Sequence, residues 1–306
     1  MIKVNMHGRL GNQLFQYAAA RSLQEKTGQI IVAGFSRVEG ANTEGVVGWE
    51  NSLKFFKIKN IAIYDGDIFD TIPTWKKAIG FLYAISYRPV MRNMKRWYEY
   101  QYKVAPFLDK IGIRWIANGF YPYKYEKSKD IFLNGSFEAK EYFQEIRDLL
   151  LQEIEPIEER LLSNKELYKL IEESNSVCLS VRHFCLNGYQ KRLYDVCDYE
   201  FYKKAISIMK EKVDNPVFVV FSDDIEWAKK NLKLSTKEFI FETENNPIWE
   251  KLRLMYSCKH FIIPNSTFAW WAQYLGRYED KRVIGPSKWF NNDFDSPLIE
   301  DAWIKI

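Results

Sequence analysis

Three places in the sequence set charge-handling side chains immediately after an apolar run, where a buried strand would leave its core. Arg182 and then His183 follow residues 177–181; Ser222, Asp223 and Asp224 follow 217–221; Asn265, Ser266 and Thr267 follow 260–264. Arginine carries a planar fork of donors and keeps its charge, which suits a diphosphate, although a surface ion pair also uses it. One acid of the Asp223 and Asp224 pair is expected to cap the next helix. The other is then free to accept two parallel N–H donors, such as N1 and N2 of guanine. A helix opening on Asn-Ser-Thr presents first-turn N–H groups to an anion. A fourth stretch, HGRLGNQ at 7–13, sets Gly8 and Gly11 between an apolar opening run and an amphipathic helical pattern. It reads either as a tight turn or as an anion cradle.

These groups need a scaffold that gathers strand ends. Residues 2–6 read as a buried strand, Leu14 to Leu23 repeat at helical spacing until Gly28, and 29–35 read as a second strand. A strand–helix–strand opening builds parallel sheet. Further on, apolar runs at 177–181, 217–221, 239–241, 260–264 and 282–285 alternate with helical segments near 199–212, 224–232, 248–257 and 267–277. That is the pattern of a doubly wound α/β domain, whose ligands sit beyond the carboxyl ends of the strands. The chain has 306 residues and a charged helical stretch interrupted by Pro156, so two domains are expected, 1–155 and 156–306, with the C-terminal segment able to cross back. Residues 80–103 mix apolar, aromatic and cationic side chains. They read as helical scaffold with Lys and Arg outward, or as a patch for a membrane surface or an acidic acceptor.

Hydrophobic residues make up 47% and charged residues 27% of the chain, which argues for packed interiors and against global disorder. A formal charge of +4 tolerates anionic ligands without the basic footprint of a nucleic-acid binder. The four cysteines lack CxxC spacing and the histidines number three; a zinc site has poor support, and reduced thiols in a cytosol are expected. No secretion signal or membrane-spanning run is evident. The expected location is therefore the cytoplasm, with peripheral contact at the inner face of the plasma membrane open to the basic aromatic stretch. Asp65 and Asp67 form a DxD within YDGDIFD, and because Asp-Gly is a strong turn signal, a turn is preferred over a cation site. Walker, nucleophile-elbow and dinucleotide signatures are absent.

In this order and spacing the stretches resemble glycosyltransferase family 11, the α-1,2-fucosyltransferases. GRLGNQLFQYAAARSL (8–23) is similar to the family's N-terminal signature and FSDDIEWAKKNL (221–232) to its central acidic motif. MYSCKHFIIPNSTFAWWAQYLG (255–276) and VIGPSKWF (283–290) are similar to its C-terminal block. The resemblance implies a GT-B-like α/β fold, two Rossmann-type lobes with a cleft between them, the first on the acceptor side and the second binding the GDP-sugar. It implies GDP-β-L-fucose as donor, inversion, and no metal or other cofactor. The acceptor implied is O-2 of a terminal β-galactoside in an oligosaccharide or lipid-linked glycan. On this reading Gly8, Arg9, Gly11, Asn12, Gln13, Arg182, His183, Ser222, Asp223, Asp224, Asn265, Ser266 and Thr267 bind the donor, with Gly8 to Asn12 as a loop.

One motif departs from the family. Where the family runs His-x-Arg-Arg-Gly-Asp, this chain has Ser180 for the His, keeps Arg182, and places His183, Phe184 and Cys185 at the Arg, Gly and Asp positions. His183 replaces an arginine only when protonated, with an ordinary pKa near ~6.5. The chemistry expected is a single displacement in which the acceptor hydroxyl attacks as GDP leaves. Arg182 steadies the developing charge, and His7, Glu138, Asp195 and Asp198 are general-base candidates by position and type. FLNGSFEAKEYF (132–143) is expected to place Asn134 to Phe137 along the cleft, with a turn at Asn134-Gly135 as the plainer reading. Two other readings stay open: a transferase for another GDP-sugar or linkage, and a silent relative that binds nucleotide or glycan without turnover.

Overall fold

The apolar opening run forms β1 (Ile2–Asn5), and the chain then lays down α1 (Leu10–Thr27), β2 (Ile31–Gly34), α2 (Ser36–Glu39), β3 (Ile61–Tyr64), α3 (Thr74–Ser86), α4 (Met94–Lys110), β4 (Ile113–Arg114), β5 (Ile131–Leu133) and α5 (Arg147–Glu153). The computed structural model describes residues 1–41, 48–124, 130–182, 188–235, 238–243 and 245–306. Its contacts divide the chain into unit 1, Met1–Glu155 with Asp293–Pro297, and unit 2, Pro156–Asn292 with Leu298–Ile306.

In unit 1 the strand order is β3-β2-β1-β5-β4 and every pair is parallel, with Ile2 level with both Ile31 and Ile131. The chain leaves β1 in one direction to β2 and reaches β5 on its other side, so the sheet reverses direction between β1 and β5. The carboxyl ends of those two strands are the place where such sheets bind ligands.

Helix α1 starts at Leu10, earlier than its apolar repeat suggests, and stops where Gly28 turns left-handed (φ 70°) and donates its N–H to Gln24 O at 2.7 Å. The amphipathic expectation fails for it. Gln13, Gln16, Arg21 and Ser22 are buried along with its apolar residues. The buried Arg21 is compensated internally: its Nε donates to Glu153 at 3.0 Å, and Tyr17 Oη donates to the same carboxylate at 2.5 Å.

Unit 2 continues with α6 (Lys165–Glu173), β6 (Asn175–Val181), α7 (Gly188–Tyr194), α8 (Tyr199–Lys212), β7 (Pro216–Ser222), α9 (Ile225–Leu232), β8 (Phe239–Phe241), α10 (Ile248–Ser257), β9 (His260–Ile262), α11 (Thr267–Leu275), β10 (Val283–Gly285) and β11 (Ile304–Lys305). The order is β11-β10-β9-β6-β7-β8, again parallel throughout. Central strands β6 and β7 read as near-continuous apolar runs because both their faces are covered. Val177, Leu179, Phe218, Val220 and Ile262 pack with Tyr202, Ala205 and Met209 of α8 on one side, and Trp270 and Trp271 of α11 are wholly buried. This sheet changes direction between β6 and β9.

Two doubly wound parallel units in one chain make the fold α/β and GT-B-like. Among the described residues no helix is long and apolar enough to cross a membrane.

Candidate active site

The register of β6 on β7 explains the first cluster. Val181 lies level with Ser222, so the next residues, Arg182 and Asp223, leave the sheet side by side. The Arg182 guanidinium meets the Asp223 carboxylate at 2.8 Å, both side chains about one-quarter to one-third exposed (26% and 33%). The Arg182 backbone N–H donates to Tyr202 Oη at 3.2 Å. Asp224 is the cap of α9, accepting from Trp227 N at 2.9 Å. Ser222 Oγ, buried, accepts from Asp224 N at 3.0 Å. One acid caps as expected, but the other is not idle. Asp223 steers Arg182, because the strand register sets them opposite each other.

At the end of β9, Ser266 caps α11, its Oγ accepting from Ala269 N at 3.5 Å, and Thr267 opens the helix. Asn265 is buried, and its Nδ2 donates to the Tyr194 and Trp289 carbonyls at 2.9 and 3.0 Å. Its amide N–H groups therefore brace the surrounding loops. Arg182 and the α11 N-terminus follow the neighbouring strands β6 and β9, between which the strand order of unit 2 reverses, and Asp223 follows β7 on the other side of β6. The helix's positive end adds to Arg182 there. Lys251 of α10, which sequence reasoning missed, reaches the same strand ends, bonding Glu242 at 3.2 Å and the Ser222 carbonyl at 3.4 Å. His183, Phe184 and Cys185 lie outside the described residues.

The second cluster sits at the carboxyl ends of β1 and β5 in unit 1. Gly8 is left-handed (φ 75°), and a Cβ there would lie 2.8 Å from the Asn12 Cβ, so the turn into α1 requires glycine. Gly11, Asn12 and Gln13 belong to the first turn of α1 rather than to a loop, because the chain after Gly8 is already held helical by α1's own amides. Gln13 Nε2 donates to the carbonyls of Gly8 (3.0 Å) and Glu50 (2.8 Å), and its Oε1 accepts from Ser52 N (2.9 Å). Gln16 clamps both backbone polar groups of His7, at 3.0 and 3.1 Å. The buried Gln13 amide is thus bonded to the protein's own backbone on both its nitrogen and its oxygen. Arg9 stands just before the helix in extended backbone, exposed.

Asn12 Nδ2 donates to Glu138 Oε1 at 2.9 Å, so the opening motif and the FLNGSFE stretch meet. Burial pushes the Glu138 carboxyl up from 4.5 to about 7. The residue before it, Phe137, is buried and left-handed (φ 52°), an uncommon conformation for a bulky side chain and one that concentrates at functional sites. No Asn-Gly turn forms at 134–135. Beyond the end of β5 the backbone instead stays bonded to 114–116, with Asn134 N donating to Arg114 O and Ser136 N to Ile116 O. A Cβ on Gly135 would fall 2.0 Å from the Ile116 carbonyl oxygen.

Beside this pair, Asn5 Nδ2 donates to Asn134 Oδ1 at 2.9 Å, and Arg37 reaches the same oxygen at 3.4 Å. His7 Nδ1 lies 3.4 Å from the Asn5 carbonyl, which can only accept, so Nδ1 carries the proton and Nε2 holds the lone pair. Burial lowers the His7 pKa below 6.5; the contact with the Asn5 carbonyl opposes that and Arg37 reinforces it. Asn5 and Arg37 went unseen in the sequence. Asn5 had a signal, a polar residue closing an apolar strand at the point where the sheet reverses.

Two of the remaining candidates are caps. Asp198 caps α8 through Phe201 N at 3.0 Å, and Asp195 is exposed after α7. Asp67 caps the short turn that follows β3, accepting from Phe69 N at 3.0 Å.

The family described as Glycosyl transferase family 11 matches residues 81–306, well over half the chain; the HGRLGNQ motif lies ahead of that match. The O-antigen biosynthesis glycosyltransferase WbnK of Escherichia coli is 27% identical over 321 residues, covering 98% of this chain and 99% of the relative. An alpha-1,2-colitosyltransferase of Escherichia coli is 33% identical over 180 residues, 56% of this chain and 61% of that protein. Among solved structures, the NodZ alpha-1,6-fucosyltransferase soaked with GDP-fucose superposes with a TM-score of 0.48 at 14% identity, over 90% of this chain and 92% of its own; another crystal structure of fucosyltransferase NodZ is from Bradyrhizobium.

Proposed function

Because the chain belongs to glycosyl transferase family 11, and so is a glycosyltransferase, we propose that it moves L-fucose from GDP-β-L-fucose to O-2 of a terminal β-galactoside, with inversion and without a divalent metal. One observation carries the catalytic part of this reading: a carboxyl, Glu138, whose pKa burial raises to about 7 and whose Oε1 is fixed by Asn12 at 2.9 Å. A base poised near neutral pH is the tuning that proton removal from a sugar hydroxyl demands.

Roles divide by unit. In unit 1, Glu138 accepts the acceptor proton as the oxygen attacks the anomeric carbon. Asn12 keeps its carboxylate oriented, and neutral His7 offers Nε2 as an acceptor to a neighbouring hydroxyl. In unit 2, Arg182 and the N-terminus of α11 take up the charge that grows on the departing diphosphate. Asp223 holds the guanidinium in place at 2.8 Å, which limits its side-chain freedom before the nucleotide arrives. Because Asp223 is engaged in this way, recognition of the guanine edge through it requires a shared carboxylate, one oxygen for each partner.

A second donor has its own support. The relative named an alpha-1,2-colitosyltransferase shares the linkage in its name with the reading above but takes colitose, which is fucose without its 3-hydroxyl. The two donors are separated by measuring GDP release from GDP-fucose and from GDP-colitose, each with and without a β-galactoside. Acceptor-dependent release from GDP-fucose at the greater kcat/KM supports fucose. A preference for GDP-colitose replaces it, and release from neither removes the transferase assignment.

A further inference from the structure

The helix pair α3–α4 of unit 1 carries apolar side chains on the wrong side for a purely structural element. At about 100° per residue, Trp75, Ala78, Phe81, Leu82 and Ile85 fall within an arc of roughly 120°. The helix buries Gly80 and Tyr83 instead, and Tyr83 packs with Leu108 and Phe132 in the core behind it. The outer stripe is left in solvent: Trp75 is 52%, Phe81 64%, Leu82 65% and Ile85 40% exposed, and Met91, in the connection that follows, 45%. Helical scaffold with Lys and Arg outward does form, and the apolar stripe is outward as well. An exposed stripe of this kind marks a surface that something else covers.

The charges around the stripe say what covers it. Residues 74–110 hold eight Lys or Arg against Glu99 and Asp109, so this helix pair is more positive than the whole chain at +4. Arg88, Arg92, Lys95 and Arg96 are all exposed at the tip where α3 passes into α4. Lys95 and Arg96 occupy the first turn of α4, after the Asn93 cap and with no acid among them. Cations at a helix N-terminus oppose the helix dipole, and an external anion removes that conflict.

From the apolar stripe ending in a cationic tip, we propose that α3–α4 docks unit 1 onto an anionic phospholipid bilayer. The aromatic and aliphatic side chains enter the boundary between headgroups and acyl chains, and the tip cations engage the anionic headgroups. The helices lie on the membrane; neither crosses it. The inference does not depend on which sugar is transferred, and lipid binding is measured without turnover.

The test uses the full chain and sedimentation with vesicles of phosphatidylcholine alone or mixed with phosphatidylglycerol, at low and high salt. One variant combines Arg88→Ser, Arg92→Ser, Lys95→Ser and Arg96→Ser; a second combines Phe81→Ser and Leu82→Ser. Melting curves and lipid-free oligomeric state are recorded for all three proteins. The expected result is binding to the phosphatidylglycerol vesicles that weakens with salt. At about fivefold per cation, the first variant loses on the order of a hundredfold or more in partitioning. The second also loses binding, with melting unchanged in both. The proposal is overturned if the wild type ignores the anionic vesicles, if it binds neutral ones equally, or if either folded variant binds as well as the wild type. It is also overturned if the lipid-free protein is a dimer that the Phe81 and Leu82 changes convert to monomer, which makes the stripe a subunit interface.

Discussion

Replacing Glu138 with glutamine separates its charge from its shape. The amide keeps an oxygen where Asn12 Nδ2 donates at 2.9 Å, so the local structure persists while proton acceptance is lost. If Glu138 is the base, kcat falls by roughly 10²- to 10⁴-fold. The wild type's kcat/KM climbs with pH and levels off above about 7, the value to which burial raises this carboxyl, and that limb vanishes in the variant. Stability moves the other way. A carboxyl whose folded pKa is raised holds a proton that the unfolded chain has already released, so its contribution is full below about 4.5 and is lost as pH rises through about 7. That span is worth up to about 3 kcal/mol. The Glu138→Gln protein should therefore match the wild type in acid and exceed it at pH 8 by as much as that figure, measured by urea unfolding at several pH values. Turnover within threefold of the wild type, or an acid limb that survives the substitution, refutes the role.

Arg182→Ala should lower kcat by roughly 10²- to 10³-fold with GDP-fucose, the scale of a lost charge-stabilising donor, and near-normal turnover removes Arg182 from the diphosphate. Asp223→Ala, which leaves that guanidinium untethered, should raise the donor KM more than it lowers kcat, read from initial rates at varied GDP-fucose. Gly135→Ala forces a methyl to within 2.0 Å of the Ile116 carbonyl oxygen; a cost of about 3 kcal/mol should appear in calorimetry as a drop of roughly 6–12 °C for unit 1. Dialysis against EDTA should leave transfer unchanged, and a loss restored by Mn²⁺ or Mg²⁺ would bring an external cation into the mechanism.

The unit 2 scaffold was readable because buried parallel strands announce themselves as unbroken apolar runs. Helices α8 and α10 have the expected bounds, Tyr199–Lys212 and Ile248–Ser257. Unit 1 was harder. Strands β4 and β5 have two and three residues, too short for any periodicity to register, and α1 is buried on nearly all sides, so its polar residues disguised a core helix as a surface one. The site residues divide along similar lines. Strand-end position singled out Arg182 and Asp223, but their pairing follows from the register of β6 on β7, a tertiary fact. Asn12 was grouped with a glycine loop, whereas its partner Glu138 lies 126 residues away and sequence spacing alone does not connect them. Gln13 and Gln16 carry no local mark that separates a side chain pinning its own backbone from one awaiting a ligand.

The reading as a whole stands or falls on the product. The full chain is incubated with GDP-fucose and a β-galactoside, released GDP is quantified, and the saccharide is examined by NMR. The account predicts one GDP per fucosylated product, with an α anomeric signal and a glycosylation shift at galactose C-2. Tight binding of GDP with no acceptor-dependent release from GDP-fucose or GDP-colitose would contradict it and leave a nucleotide-binding protein without turnover.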